Sequence, residues 1–115
     1  MAYEAGVQFV RTSRYLKDLK RIGASASDAA RLEAEIASNP QAGDVIPGLG
    51  GLPKIRFGMG GRGKRGGGRA IYFLMVAKDV AIMVFAYSKA EREDLTPDQR
   101  KVALALVKEL TDGED

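Results

Sequence analysis

Lys54, Arg56, Arg62, Lys64, Arg65, Arg69 and Lys78 lie in the stretch from Val45 to Lys78, which holds no carboxylate. That stretch carries +7 and the other 81 residues −4, so the net +3 of the chain conceals one concentrated positive field. Seven glycines between Gly58 and Gly68 let backbone approach a partner closely, and the combination suits phosphodiester recognition. The chain has no histidine and no cysteine. Thiolate chemistry, disulfides, the commonest general base and most zinc sites are therefore excluded. Any catalysis must run on lysine, arginine, tyrosine, carboxylates, backbone or water, and a cysteine-free chain suits a reducing cytosol.

Further candidates flank this segment. Tyr87 and Lys89 have the same parity at the end of an apolar run, which predicts one face shared with Ala81, Met83 and Phe85. Gly58 to Lys64 satisfies the G-x-x-x-x-G-K half of a phosphate loop, but Arg65 stands where Ser or Thr is needed and the loop leads into a strand rather than a helix. Nucleotide hydrolysis is set aside on that context. Glu91, Glu93 and Asp94 read as a solvated acidic segment, with no second carboxylate cluster to complete a metal site, so no metal or other cofactor is assigned.

The elements that must position these groups follow from periodicity. Val7 to Val10 predicts a short first strand, and Ser13 a helix cap ahead of an apolar stripe of Tyr15, Leu16, Leu19 and Ile22, stopped by Gly23. Ser25 or Ser27 starts a second helix with Ala29, Leu32 and Ile36 inward, ended by Asn39-Pro40. After turn-rich Gly43 to Gly51, the period changes to two: Ile55 and Phe57 share one face of a strand and Lys54 and Arg56 the other. Strands over Arg69–Ala77 and Val80–Ser88, joined at Lys78-Asp79, complete an antiparallel meander and explain the apolar window from Ala70 to Tyr87 better than a membrane span does. Thr96-Pro97-Asp98-Gln99 opens a last helix with Val102, Ala103, Leu106, Val107 and Leu110 as its buried stripe. The expected order is β-α-α-β-β-β-α, an α+β domain spanning residues 1–115, with helices packed on a small, mainly antiparallel sheet and no signal peptide.

Lys54-Ile-Arg56, then Gly63-Lys-Arg-Gly-Gly-Gly-Arg69 running into Ile71-Tyr-Phe-Leu, then Tyr87-Ser-Lys89-Ala-Glu91 and Leu95-Thr before a C-terminal helix, resembles the RelE/ParE superfamily of bacterial toxins, and within it the HigB-type branch. The likeness runs from about Val7 to Leu110 and rests on the order and spacing of these motifs. It implies a RelE-like fold and the toxin of a type II toxin–antitoxin system. Such a toxin is a cytoplasmic, ribosome-dependent mRNA endoribonuclease (mRNA interferase) that inhibits translation and arrests growth. It is held in check by a cognate antitoxin, expected to be a helix-turn-helix DNA-binding protein. By position, Lys54 and Arg56 match the family's basic pair, Arg69 the arginine opening the next strand, Lys89 the lysine after the last strand, and Tyr87 an aromatic frequent in the HigB-type branch. Ala90 departs from the pattern, since an arginine follows that lysine in RelE.

On this resemblance, cleavage proceeds by attack of the ribose 2′-hydroxyl on the adjacent phosphorus, leaving a 2′,3′-cyclic phosphate and a 5′-hydroxyl. Clustered cations favour the neutral amine of a neighbouring lysine, so Lys54 or Lys89 is the expected proton carrier. Arg56 and Arg69, fork-shaped and permanently charged, suit the scissile phosphate, and Tyr87 suits base stacking or ribose orientation. Arg62, Lys64 and Arg65 in the glycine loop are expected to hold mRNA or ribosomal RNA. Three other readings stand beside this one: a ParE-like toxin directed at DNA gyrase, a non-catalytic nucleic-acid-binding module, and an inactive relative retained as a partner-binding protein, to which Ala90 points.

Overall fold

A computed structural model of the chain describes residues 6–61, 63, 66–92 and 94–113. It is a mixed α+β structure of three helices and one five-stranded sheet. Strand β1 (Gln8–Arg11) leads into α1 (Ser13–Ile22), and the cap is Thr12 rather than Ser13. Thr12 is extended, and its Oγ1 accepts the Tyr15 amide while donating to the Met83 carbonyl at 2.8 Å, so one hydroxyl starts the helix and fastens it to the sheet. Gly23 ends α1 in the left-handed conformation (φ 79°), as its position predicts. Helix α2 (Ala26–Ser38) starts from a capping box in which Ser25 and Asp28 each satisfy the other's backbone amide.

The turn-rich stretch contains a two-residue strand not expected from its composition, β2 (Asp44–Val45), at the sheet edge. Then come β3 (Pro53–Phe57), β4 (Gly68–Met75), a 3₁₀ turn at Val76–Lys78, and β5 (Val80–Ser88). The turn closes on Asp79 at φ 53°. Spatial order is β1-β5-β4-β3-β2, with β1 parallel to β5 and every other pair antiparallel. Helix α3 (Pro97–Gly113) opens with the expected exchange between Thr96 and Gln99: each backbone amide donates to the other's side chain.

The sheet separates two cores. Tyr15, Leu19, Leu32 and Ile36 of α1 and α2 pack on Ile55, Phe57, Ala70, Tyr72, Ala81, Met83 and Ala86. On the other side, Ala103 and Val107 of α3 join Ile71, Ile82, Val84, Phe85, Tyr87 and Leu95, with Ile46, Leu49 and Leu52 from the β2–β3 loop. Each fully buried aromatic or branched side chain contributes about 1.5–3 kcal/mol, so both faces of the sheet are needed for stability. Leu16 and Val102, expected inside, are about half exposed. Each belongs by spacing to an apolar stripe, but sits on the stripe's outer flank, where the sheet does not reach.

One irregularity decides the faces. Ile71 pairs with Phe85 but Tyr72 pairs with Met83, so Val84 is an extra residue in β5. Val84 and Phe85 consequently both lie in the α3-side core. The expectation that Ala81 and Met83 share a face with Phe85 and Tyr87 is thereby corrected: the first pair faces α1 and α2, the second faces α3.

Candidate functional site

In register, Arg56 of β3 lies opposite Arg69 of β4, and Arg69 lies opposite Tyr87 of β5. Directly opposed residues of an antiparallel pair project to the same side, so the three form one row across the sheet, on the face away from α1 and α2. The next row holds Lys54, Ile71 and Phe85. Ile71, Phe85 and Tyr87 belong to the core that α3 closes, whereas no β3 side chain does. What remains uncovered is a cleft of about 310 Å³ lined by Lys54, Arg56, Arg69, Asp94 and the loop Asp44–Pro47. Arg100 of α3 donates to the Pro47 carbonyl at 3.0 Å and thereby holds that loop as the cleft wall.

Three of the five residues expected to do chemistry thus meet in one cleft. Arg56 is exposed and Lys54 partly buried, whereas Arg69 is only 9% exposed and sits at the cleft floor, with its Nη1 donating to the Gly68 carbonyl at 3.1 Å. Tyr87 is fully buried in the α3-side core. Its ring therefore backs the row beside Arg69, and the base stacking considered for it is not open to it in this arrangement. Lys89 is exposed, two residues beyond Tyr87 and outside the cleft lining, and its amide donates to Gly67 O at 3.0 Å. It stands at the same end of the sheet as Arg69. Arg62, Lys64 and Arg65 lie outside the described residues.

Glycine is required where β4 begins. A Cβ on Gly67 would lie 2.3 Å from Phe57 O, and one on Gly68 would lie 2.7 Å from the Phe57 ring. The close approach of these two strands is what sets Arg56 against Arg69.

The sequence reading missed the two acids of the cleft, Asp44 and Asp94. Asp44 is brought there by the short β2, where it lies opposite Lys54, and Asp94 by the turn into α3, within 3.9 Å of Arg100. Arg92 lies outside the cleft lining, and its Nη1 donates to Gln99 Oε1 at 3.0 Å beside the start of α3. Glu91 accepts from Arg21 at 2.8 Å and from the Ser88 amide at 3.1 Å, and the Arg21 bond holds its carboxyl below the usual carboxylate range.

Comparison with known proteins agrees with this architecture. A family model described as "RelE toxin of RelE / RelB toxin-antitoxin system" matches residues 19–115. Among solved structures, a doubly substituted E. coli toxin RelE in its free state is similar in fold, with a TM-score of 0.56 at 15% identity. That match covers 88% of this chain and 97% of the other. Among the described residues, no helix is long and apolar enough to cross a membrane.

Proposed function

Because the chain belongs to the RelE toxin family of toxin–antitoxin systems, we propose that it is an mRNA endoribonuclease acting in the ribosomal decoding site, neutralised by its antitoxin. The observation that carries this reading is the convergence of Lys54, Arg56 and Arg69 on one cleft, from strands whose register opposes the two arginines. The two guanidinium groups lie directly across the sheet from each other, where like charges repel. A bound polyanion would repay that repulsion.

In the proposed reaction, Lys54 takes the proton of the ribose 2′-hydroxyl as that oxygen attacks phosphorus. Arg56 and Arg69 hold the non-bridging oxygens, whose charge grows as the fifth bond forms. The P–O5′ bond breaks, and the leaving oxygen receives a proton from the Lys89 side of the row or from water. The products are a 2′,3′-cyclic phosphate and a 5′-hydroxyl. Tyr87 serves from below, by filling the space under the row so that Arg69 cannot sink into the core. Arg62, Lys64 and Arg65 grip backbone of mRNA or ribosomal RNA, and the Tyr87-Ser-Lys89 stretch favours the HigB-type branch. The antitoxin is expected to be a helix-turn-helix protein, and the complex to be cytoplasmic.

The test is cleavage of a ribosome-bound transcript with mapping of its new ends. Arg69→Ala should lower turnover at least about a hundredfold, in the range for loss of one preorganised charge contact. Wild-type turnover in that variant, or ends without cyclic phosphate, would overturn the assignment. Arrested DNA supercoiling with intact transcripts would instead favour a gyrase-directed toxin.

A further inference from the structure

Strand β5 carries Tyr87 and leads to Lys89, yet β1 covers its outer edge only as far as Met83. Beyond that point the edge is covered by side chains in place of a strand. Thr12 Oγ1 donates to the carbonyls of Met83 (2.8 Å) and Val84 (3.3 Å). Asp18, 1% exposed, accepts the Ala86 amide at 3.0 Å, and Arg21 Nη2 donates to the Ala86 carbonyl at 3.3 Å. Glu91 Oε2 accepts the Ser88 amide at 3.1 Å. A single guanidinium joins the last three: Arg21 pairs with Asp18 through Nη1 and with Glu91 through Nη2. Residues on either side of Tyr87 in the chain are therefore gripped by one charged chain, Asp18–Arg21–Glu91.

Arg21 does not line the cleft, and two carboxylates engage its charge. It is poorly suited to hold RNA and well suited to hold β5. We propose that Arg21 is a positioning residue for the cleft chemistry, fixing the height and twist of the β5 end so that Tyr87 stays against Arg69 and Lys89 stays at the rim. This rests on the nuclease reading above and deepens it, because it assigns part of the site's geometry to the opposite face of the sheet.

Arg11 provides the control. It makes a comparable two-pronged pair with Glu33 (Nε to Oε2, 2.9 Å), tying β1 to α2 away from the β5 end. Cleavage kinetics on programmed ribosomes and amide hydrogen exchange would be measured together for wild type, Arg21→Ala, Arg21→Lys, Glu91→Ala, Arg11→Ala and Arg69→Ala. Arg21→Ala should lower kcat between about tenfold and a hundredfold with KM within about twofold, the size expected when reacting groups are displaced without loss of contact. Exchange at Ala86 and Ser88 should quicken by about tenfold. Arg21→Lys should recover part of kcat, and Arg11→Ala should lose thermal stability with kcat intact. Should Arg21→Ala fail to fold, Glu91→Ala removes only the outer half of the chain and should show the same pattern.

Unchanged exchange at Ala86 and Ser88, or a kcat loss in Arg11→Ala equal to that in Arg21→Ala, would overturn the proposal. So would normal kcat in Arg21→Ala when Arg69→Ala is inactive, in which case the nuclease reading survives alone. Normal cleavage in Arg69→Ala would bring down both.

Discussion

Replacing Arg56 with glutamine should make the free protein more stable and less active. Arg56 is exposed, so glutamine loses little packing, and it lies directly opposite Arg69, which is 9% exposed. A like-charged cross-strand pair costs about 0.2–1 kcal/mol, and relieving it in a chain of this length raises the melting temperature by about 1–5 °C. Salt tests the cause. The screening length falls from about 30 Å at 0.01 M to about 3 Å at 1 M, so the gain should be largest in dilute buffer and nearly vanish in concentrated salt. Against this, the variant loses one charge-assisted contact to the phosphate. Such bonds are worth about 1.5–3 kcal/mol, which corresponds to a fall of about ten- to a hundredfold in kcat/KM. Thermal melts of the isolated toxin at both salt concentrations, beside cleavage of ribosome-bound mRNA, give both numbers from one preparation. A lower melting temperature together with cleavage within twofold of wild type would overturn this account, since Arg56 would then be serving the fold and not the ligand.

Two further outcomes are expected. Gly67→Ala places a methyl group 2.3 Å from Phe57 O and 3.0 Å from the Met59 nitrogen, both backbone atoms. The start of β4 must move, costing about 1–3 kcal/mol, and urea unfolding should show the loss alongside weakened cleavage. In acid, Asp28 and Glu91 matter. Asp28 is held below its ordinary 3.8, chiefly by the Ser25 backbone amide, and Glu91 below its ordinary 4.5, chiefly by Arg21. Their contribution is complete above those ordinary values and lost as pH falls through the lower folded ones, so Asp28→Asn with Glu91→Gln should flatten the decline of the urea midpoint below about pH 4.5.

Much of the architecture was legible because it depends on local chemistry. Gly23 stops a helix by its own conformational freedom, Thr96 and Gln99 cap one within a single turn, and the alternation of Ile55 and Phe57 with Lys54 and Arg56 needs only the period of a strand. Sequence order also sufficed to bring Lys54, Arg56 and Arg69 together, since short connections leave adjacent strand ends few alternatives. What escaped the reading depends on register. No local signal marks Val84 as an extra residue, and the faces of Ala81, Met83, Phe85 and Tyr87 follow from it. β2 exists because Asp44 and Val45 meet Lys54 and Pro53, pairings ten and eight residues apart with little intrinsic strand preference behind them. Thr12 outcompeted Ser13 as the cap because its hydroxyl also reaches the β5 carbonyls, a tertiary partner invisible in a helical window. The same holds for Arg21, which spacing left to solvent and the fold drew to Ala86 and Glu91.

The surplus residue in β5 also bears on how this protein can diverge. Deleting Val84 would restore uniform pleating with Met83 still opposite Tyr72 and Phe85 still opposite Ile71, so the side chains beyond it would keep their layers. The α3-side core would lose one buried valine, and Tyr87 would stay opposite Arg69. A three-nucleotide loss at that codon would therefore trim the core and leave the wall behind the cations in place. Shortening of this strand among descendants should accordingly fall at Val84, where one codon can go without disturbing the rows beyond it.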